Sequence, residues 1–164
     1  MDETSGFMTA RQAATDPRIL VFGRLLGAAN RLEYILGRSL EESVGLDHTL
    51  FELLLVVGRA GGAGVPVRDI AEARVLTSGG ATRLVQRGVA RGLVERRVSP
   101  DDRRVQLVGL TAEGERLLLE ASDVHARNIE RHLVDVLPAD QAAVFAEAIK
   151  TLSKSAAAAL PTMP

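Results

Sequence analysis

The sequence predicts a mainly helical α+β chain with one small β-hairpin, and three observations predict it. Apolar residues recur at helical spacing over most of the length. Two short runs alternate instead, Val94-Glu95-Arg96-Arg97-Val98 and Arg104-Val105-Gln106-Leu107-Val108, and between them Ser99-Pro100-Asp101-Asp102-Arg103 is made of residues that start and hold turns. Just upstream, a short helical pattern (Val67, Ile70, Ala71) is followed by a turn and a second helix carrying Thr82, Arg83 and Arg87. Two short helices leading into an arginine-bearing hairpin make a winged helix-turn-helix, here flanked by long helices. Such a lobe offers one helix to the major groove of a duplex and a basic finger to a neighbouring groove or the phosphates.

The elements follow in order. Asp16 caps and Pro17 opens a first helix, whose Ile19, Phe22, Leu25, Leu26, Ala29, Leu32, Ile35, Leu36 and Leu40 share a period and which Gly45 ends after Val44. Asp47 caps a second helix, Thr49 to about Gly58. Its Leu50, Phe51, Leu53, Leu54 and Val57 make it apolar nearly all round, hence central. Gly61-Gly62-Ala63-Gly64 closes it. After the hairpin, Thr111 caps a long helix expected to run through Leu117, Leu118, Ala121, Val124, Ile129, Leu133 and Leu137. Pro138 stops it and begins the last, about 139–158, and disorder is expected for Pro161 to Pro164.

At 164 residues, 46% hydrophobic and 25% charged, the chain suits one domain with one sizeable core. Within it, 46–111 is expected to be the DNA-binding lobe, and 17–44 and 111–158 the helices that pair two copies. Absence of cysteine excludes disulfides, catalytic thiols and thiol-based sensing. No apolar run approaches the ~20 residues of a membrane span, and Met1 to Gln12 lacks a secretory apolar core, so a cytoplasmic location is expected.

The overall charge of -1 conceals a division. Val65 to Arg104 holds nine arginines against five acids, while the six basic and eight acidic residues before it, and the five and eight after it, leave both flanks negative. Positive potential is thus concentrated where phosphate would be neutralised. Phe22, Leu25, Leu26 and Leu32 on the first helix and Val144, Ile149 and Leu152 on the last exceed what a small centre covers. They either complete a monomeric core or pair two copies about a two-fold axis, the reading adopted here, which suits half-sites ~34 Å apart.

The run Asp102-Arg103-Arg104-Val105-Gln106-Leu107-Val108-Gly109-Leu110-Thr111, with Glu113-Gly114 after it, resembles the signature of MarR-type transcriptional regulators. Thr82-Arg83-Leu84-Val85, Arg87 and Arg91-Gly92-Leu93-Val94-Glu95-Arg96 look like that family's recognition helix and wing start, and the likeness covers about Leu20 to Leu152. The resemblance implies a homodimer on a pseudo-palindromic promoter site, most simply a ligand-responsive repressor. It implies that the helix opening at Thr77 and Ser78 enters the major groove, with Thr82, Arg83 and Arg87 as further base or phosphate contacts. Arg104 would enter the minor groove, with Asp102 holding it or serving as a turn acid, and Arg96, Arg97 and Arg103 would touch phosphate. It also implies a small phenolic or anionic effector, for which Arg31, Tyr34, Arg38, His48 and Glu52 are the polar candidates. With four phenylalanines, one tyrosine and no tryptophan, an effector pocket would be mainly aliphatic.

The recognition helix departs from the pattern at Gly79, Gly80 and Gly88, each costing ~1 kcal/mol of helix stability relative to alanine. Gly79 and Gly80 either let the helix start approach DNA closely or are incidental; at Gly88, Val85 and Val89 are expected to fill the space. Catalysis is not expected: His48, His125 and His132 have no nucleophile or metal partner at a recognisable spacing, and the last two stand ~10.5 Å apart along a helix. They are expected at the surface or an interface. Neither a cofactor nor a metal is expected. The alternative function is a helical protein-protein scaffold, for which the arginine hairpin would be a mere surface feature.

Overall fold

The computed structural model describes residues 6–7 and 9–160, so the expectation for Pro161 to Pro164, and most of that for the first residues, lies outside it. The chain divides into two compact units at Ile35/Leu36, within one helix.

In the first unit, α1 (Ala10–Ala14) is held by a reciprocal box in which Thr9 Oγ1 accepts the Gln12 amide and Gln12 Oε1 accepts the Thr9 amide. Asp16 then accepts the main-chain N–H of Arg18 and, through both oxygens, its guanidinium, opening α2 (Pro17–Val44) as expected. Hydrogen bonding from Arg18 holds the Asp16 carboxyl at about 2. Ile19, Val21, Phe22, Leu25 and Leu26 are all exposed on this part of α2.

The second unit starts with Leu36 and Leu40, the buried residues of α2. Gly45 ends the helix at φ +65, its N–H donating to the Glu41 carbonyl. Asp47 accepts the Leu50 N–H and caps α3 (His48–Ala60), which buries Leu50, Phe51, Leu53, Leu54 and Val57 and is central as its composition predicts. A 3-10 turn (Gly61–Ala63) leads to β1 (Val65–Pro66), α4 (Val67–Ala73), α5 (Ser78–Ala90), β2 (Val94–Val98) and β3 (Gln106–Leu110). Thr111 caps α6 (Ala112–Ile129), and α7 (Ala139–Ala159) ends the described chain. Around α3, Leu40, Leu46, Ile70, Val85, Leu93, Val94, Val108 and Ala121 close a single core.

Four features differ from the sequence reading, the first being α1, a short helix ahead of Pro17 that it did not contain. The sheet has three antiparallel strands in the order β1-β3-β2, because Val65 and Pro66 pair with Val108 and Leu107. The hairpin's second strand begins at Gln106 and not at Arg104. Asp102 Oδ1 accepts the Arg104 N–H and the Asp102 carbonyl accepts the Val105 N–H, keeping the chain in a turn through Val105. The sixth helix does not continue regularly to Leu137: it gives way after Ile129 to one π turn, Glu130–Val134.

Candidate nucleic-acid interface

The path from α4 to α5 is a helix-turn-helix fixed by main-chain hydrogen bonds. Leu76 N–H reaches the Ala71 carbonyl and Val75 N–H the Glu72 carbonyl, the paired bonds of a left-handed helix stop. The residue that must be left-handed is a valine, Val75, at φ +52. Two residues later Thr77 Oγ1 accepts the Gly80 N–H at 3.1 Å, so this candidate contact residue is the cap of α5. Ala81, Leu84, Val85 and Gly88 face the core. A Cβ at Gly88 would stand 2.8 Å from Val94 Cγ2 and 3.0 Å from Leu53 Cδ2. The neighbours that fill its space are therefore Val94 and Leu53, whereas Val89, expected there, is exposed.

The outward face of α5 carries Ser78, Gly79, Arg83, Gln86 and Arg87. Thr82 is half-buried and its hydroxyl donates to the Ser78 carbonyl at 2.9 Å. Among the described residues the Arg83 and Gln86 side chains make no hydrogen bond or ion pair, whereas Arg87 donates to Asp47 Oδ2 at 2.8 Å. Gln86 was not singled out by its residue type; its spacing of three from Arg83 is the signal that marks it.

The hairpin presents the second cluster. Glu95 pairs with Gly109, Arg96 with Val108 and Arg97 with Leu107, so Arg96 and Arg97 point to opposite faces. Arg97 donates to the Gly62 carbonyl and is tied to the fold. Arg96, Arg103 and Arg104 are exposed, and their side chains make no hydrogen bond or ion pair among the described residues. The buried Ser99 supports the hairpin tip, its hydroxyl accepting the Asp101 N–H at 3.3 Å. Asp102 touches Arg104 through the main-chain amide rather than the guanidinium, so it positions the residue and leaves its charge outward.

Several polar ties brace this lobe. Arg91 donates to the Gly45 carbonyl at 2.9 Å, and Arg74 pairs with Glu52. Glu52 also lies 3.6 Å from His48 Nε2. His125, expected at the surface or an interface, is half-buried within the fold, with its ring centroid 4.8 Å from that of Phe51 and 5.6 Å from that of His48. Its Nδ1 is buried without a hydrogen-bond partner among the described residues. Burial, reinforced by His48, pushes its pKa down. Of the remaining effector candidates, Arg38 pairs with Glu42, Tyr34 is exposed, and Arg31 lies back over Gly27, where a Cβ would meet its Nη1 at 2.8 Å.

A capped recognition helix with an outward arginine, joined to a hairpin whose tip is arginine-rich, is the arrangement that the sequence resemblance implies. The profile of the MarR family matches residues 44–105, from the end of α2 to the tip of the hairpin. The regulator MhqR of Bacillus subtilis is 30% identical over 112 residues, 68% of this chain and 75% of that protein. The chain belongs to the MarR family of transcriptional regulators. The multiple antibiotic resistance protein MarR of Salmonella typhimurium is 25% identical over 134 residues, 82% of this chain and 92% of MarR. Among solved structures, a MarR family regulator from Streptomyces coelicolor in complex with DNA superposes with a TM-score of 0.77 at 23% identity, covering 94% of this chain and 92% of that one. CouR from Rhodococcus jostii, bound to p-coumaroyl-CoA, gives 0.72 at 25% identity, covering 92% and 98%. In this MarR-family chain, no helix among the described residues is long and apolar enough to cross a membrane.

Proposed function

We propose that this MarR-family chain is a ligand-responsive repressor that occupies a pseudo-palindromic promoter site as a homodimer. Residues 46–111 form its DNA-reading lobe, and 17–44 and 111–158 its dimerisation helices. The observation that carries the reading is the set of arginines between Val65 and Arg104 whose side chains make no hydrogen bond or ion pair among the described residues, Arg83 on α5 and Arg96, Arg103 and Arg104 on the hairpin. Unpaired, exposed guanidiniums in the one positive third of the chain are held ready for phosphate and for the paired acceptors of a guanine edge. Ser78, Thr82 and Arg87 flank Arg83, Thr77 orients the helix, and Asp102 orients Arg104 toward the minor groove. Arg97 contributes from beside the 3-10 turn.

Pairing of two copies is supported by α7, which buries none of its residues and exposes Val144, Phe145, Ile149 and Leu152. Regulation is assigned to an organic anion or phenol, met by Arg31 or Arg38, with Tyr34, His48 and Glu52 as the other polar candidates. CouR, solved with p-coumaroyl-CoA, is a relative that takes a compound of this kind.

The test is a mobility shift with the DNA immediately upstream of the protein's own gene. Arg104→Ala and Arg83→Ala should each weaken binding by ~1 to 3 kcal/mol, and affinity should fall steeply with salt. Retention insensitive to salt, or unaltered by both substitutions, would favour the protein-protein scaffold instead. Where a phenolic acid releases the wild type from DNA, full release from both Arg31→Ala and Arg38→Ala would remove the effector assignment.

A further inference from the structure

The three glycines of α5 have three different surroundings. Gly88 is set by packing, since a Cβ there would press on Val94 and Leu53. Gly80 is set by the cap, since its Cβ would stand 3.3 Å from Thr77 Oγ1, the atom that accepts the Gly80 N–H. Gly79 is set by neither. A Cβ built on it meets nothing within 4 Å, and its φ is not positive, so alanine fits both the space and the backbone. Among the described residues, no contact and no backbone constraint accounts for a residue that weakens the very helix it stands in. What Gly79 does share is a face: it is exposed, and Arg83, exposed and without a side-chain partner among the described residues, lies one turn further along the same stripe, with Gln86 beyond it.

We infer that Gly79 sets specificity: it is the point where duplex DNA comes against the main chain of α5, and the depth of that approach lets Arg83 reach a base edge. A methyl group there would hold the helix off the groove floor. Arg83 could then reach phosphate still, but no longer both acceptors of a guanine. This rests on the DNA-binding reading above and adds to it a residue that has no side chain to contribute.

The test uses the full chain as Gly79→Ala, Arg83→Ala and the double variant. Each is titrated into the upstream fragment and into an unrelated duplex of equal length, at one salt concentration. Thermal unfolding is followed in parallel. Gly79→Ala should melt a few degrees higher than wild type. It should bind the upstream fragment about tenfold or more weakly, the scale of one lost bidentate base contact, and bind the unrelated duplex nearly as before. The loss caused by Arg83→Ala should shrink in the Gly79→Ala background, because the two share one contact. Wild-type affinity for the upstream fragment in Gly79→Ala would overturn the inference and leave the DNA-binding reading intact. So would equal losses on both duplexes with a lowered melting temperature. A wild-type protein that does not prefer the upstream fragment would overturn the DNA-binding reading itself, and this inference with it.

Discussion

Gly114 in the first turn of α6 is the position where the smallest substitution should do the most damage. A Cβ there would stand 1.8 Å from the main-chain oxygen of Leu93, 2.8 Å from its carbonyl carbon and 3.3 Å from its Cα. Ordinary contact begins at 3.4 Å, so in Gly114→Ala the helix start and the residue before β2 must part by about 1.5 Å. The same junction holds two hydrogen bonds, Thr111 N–H to the Leu93 carbonyl at 3.1 Å and the Thr111 hydroxyl to the Gly92 carbonyl at 2.6 Å. Overpacking of this kind costs about 1–3 kcal/mol and each loosened hydrogen bond about 1, against a gain of up to about 1 from alanine's helix propensity. The net is a loss of roughly 2–4 kcal/mol, which in a protein of this length lowers Tm by roughly 5–15 °C. Thermal unfolding followed by far-ultraviolet circular dichroism measures it, with urea titration as the check. A Tm within about 2 °C of wild type would show that the α6–β2 junction is not the close contact described.

Val75→Gly should act in the opposite direction. Removing a branched side chain from φ +52 relieves about 1–2 kcal/mol, and glycine's greater freedom in the unfolded chain takes back about half, so a gain of about 0.5–1 kcal/mol is expected in urea unfolding. Asp47→Ala removes the cap of α3 and should cost about 1 kcal/mol in the same titration, whereas Arg87→Ala, which breaks only a half-exposed pair, should cost under about 0.5 kcal/mol. Equal losses would mean that the ion pair, not the cap, matters. Burial holds the pKa of His125 below the ordinary histidine value of 6.5. The unfolded chain therefore takes up a proton at a higher pH than the folded one, and this contribution to stability is intact above 6.5 and lost as pH falls below it. Urea midpoints between about pH 7.5 and 5.5 should fall for the wild type and fall less steeply for His125→Leu; identical slopes would contradict the buried, unpartnered placement of the ring.

The long helices were legible because their ends are written in local chemistry. Asp16-Pro17, Gly45, Asp47 and Thr111 each act within four residues of themselves, and each does in the fold what its type predicts. The hairpin was legible as a hairpin but misplaced by two residues at its second strand. Arg104 and Val105 continue an alternating pattern, and only the amide bonds to Asp102 keep them in the turn. The strand Val65–Pro66 was not legible at all: two residues hold no period, and their pairing to Val108 and Leu107 spans over forty positions. The same distance hid the roles of the lobe's arginines. Arg74, Arg87 and Arg91 find partners 22, 40 and 46 residues away, so residue type told which side chains were basic but not which were already engaged. Among the described residues from Val65 to Arg104, that sorting leaves Arg83, Arg96, Arg103 and Arg104 as the arginines with charge to spare.

The little sheet has two open rims, and both are blunted. One is only two residues long and ends in a proline, which has no N–H to offer; the other runs Val-Glu-Arg-Arg-Val, with charge at its centre. A fourth strand from a neighbouring molecule would find too short a ladder on one side and a crowd of guanidiniums on the other. Self-association by zippering through the hairpin is thereby discouraged at the concentrations that would favour it, and the arginine-bearing rim is kept clear of its own kind.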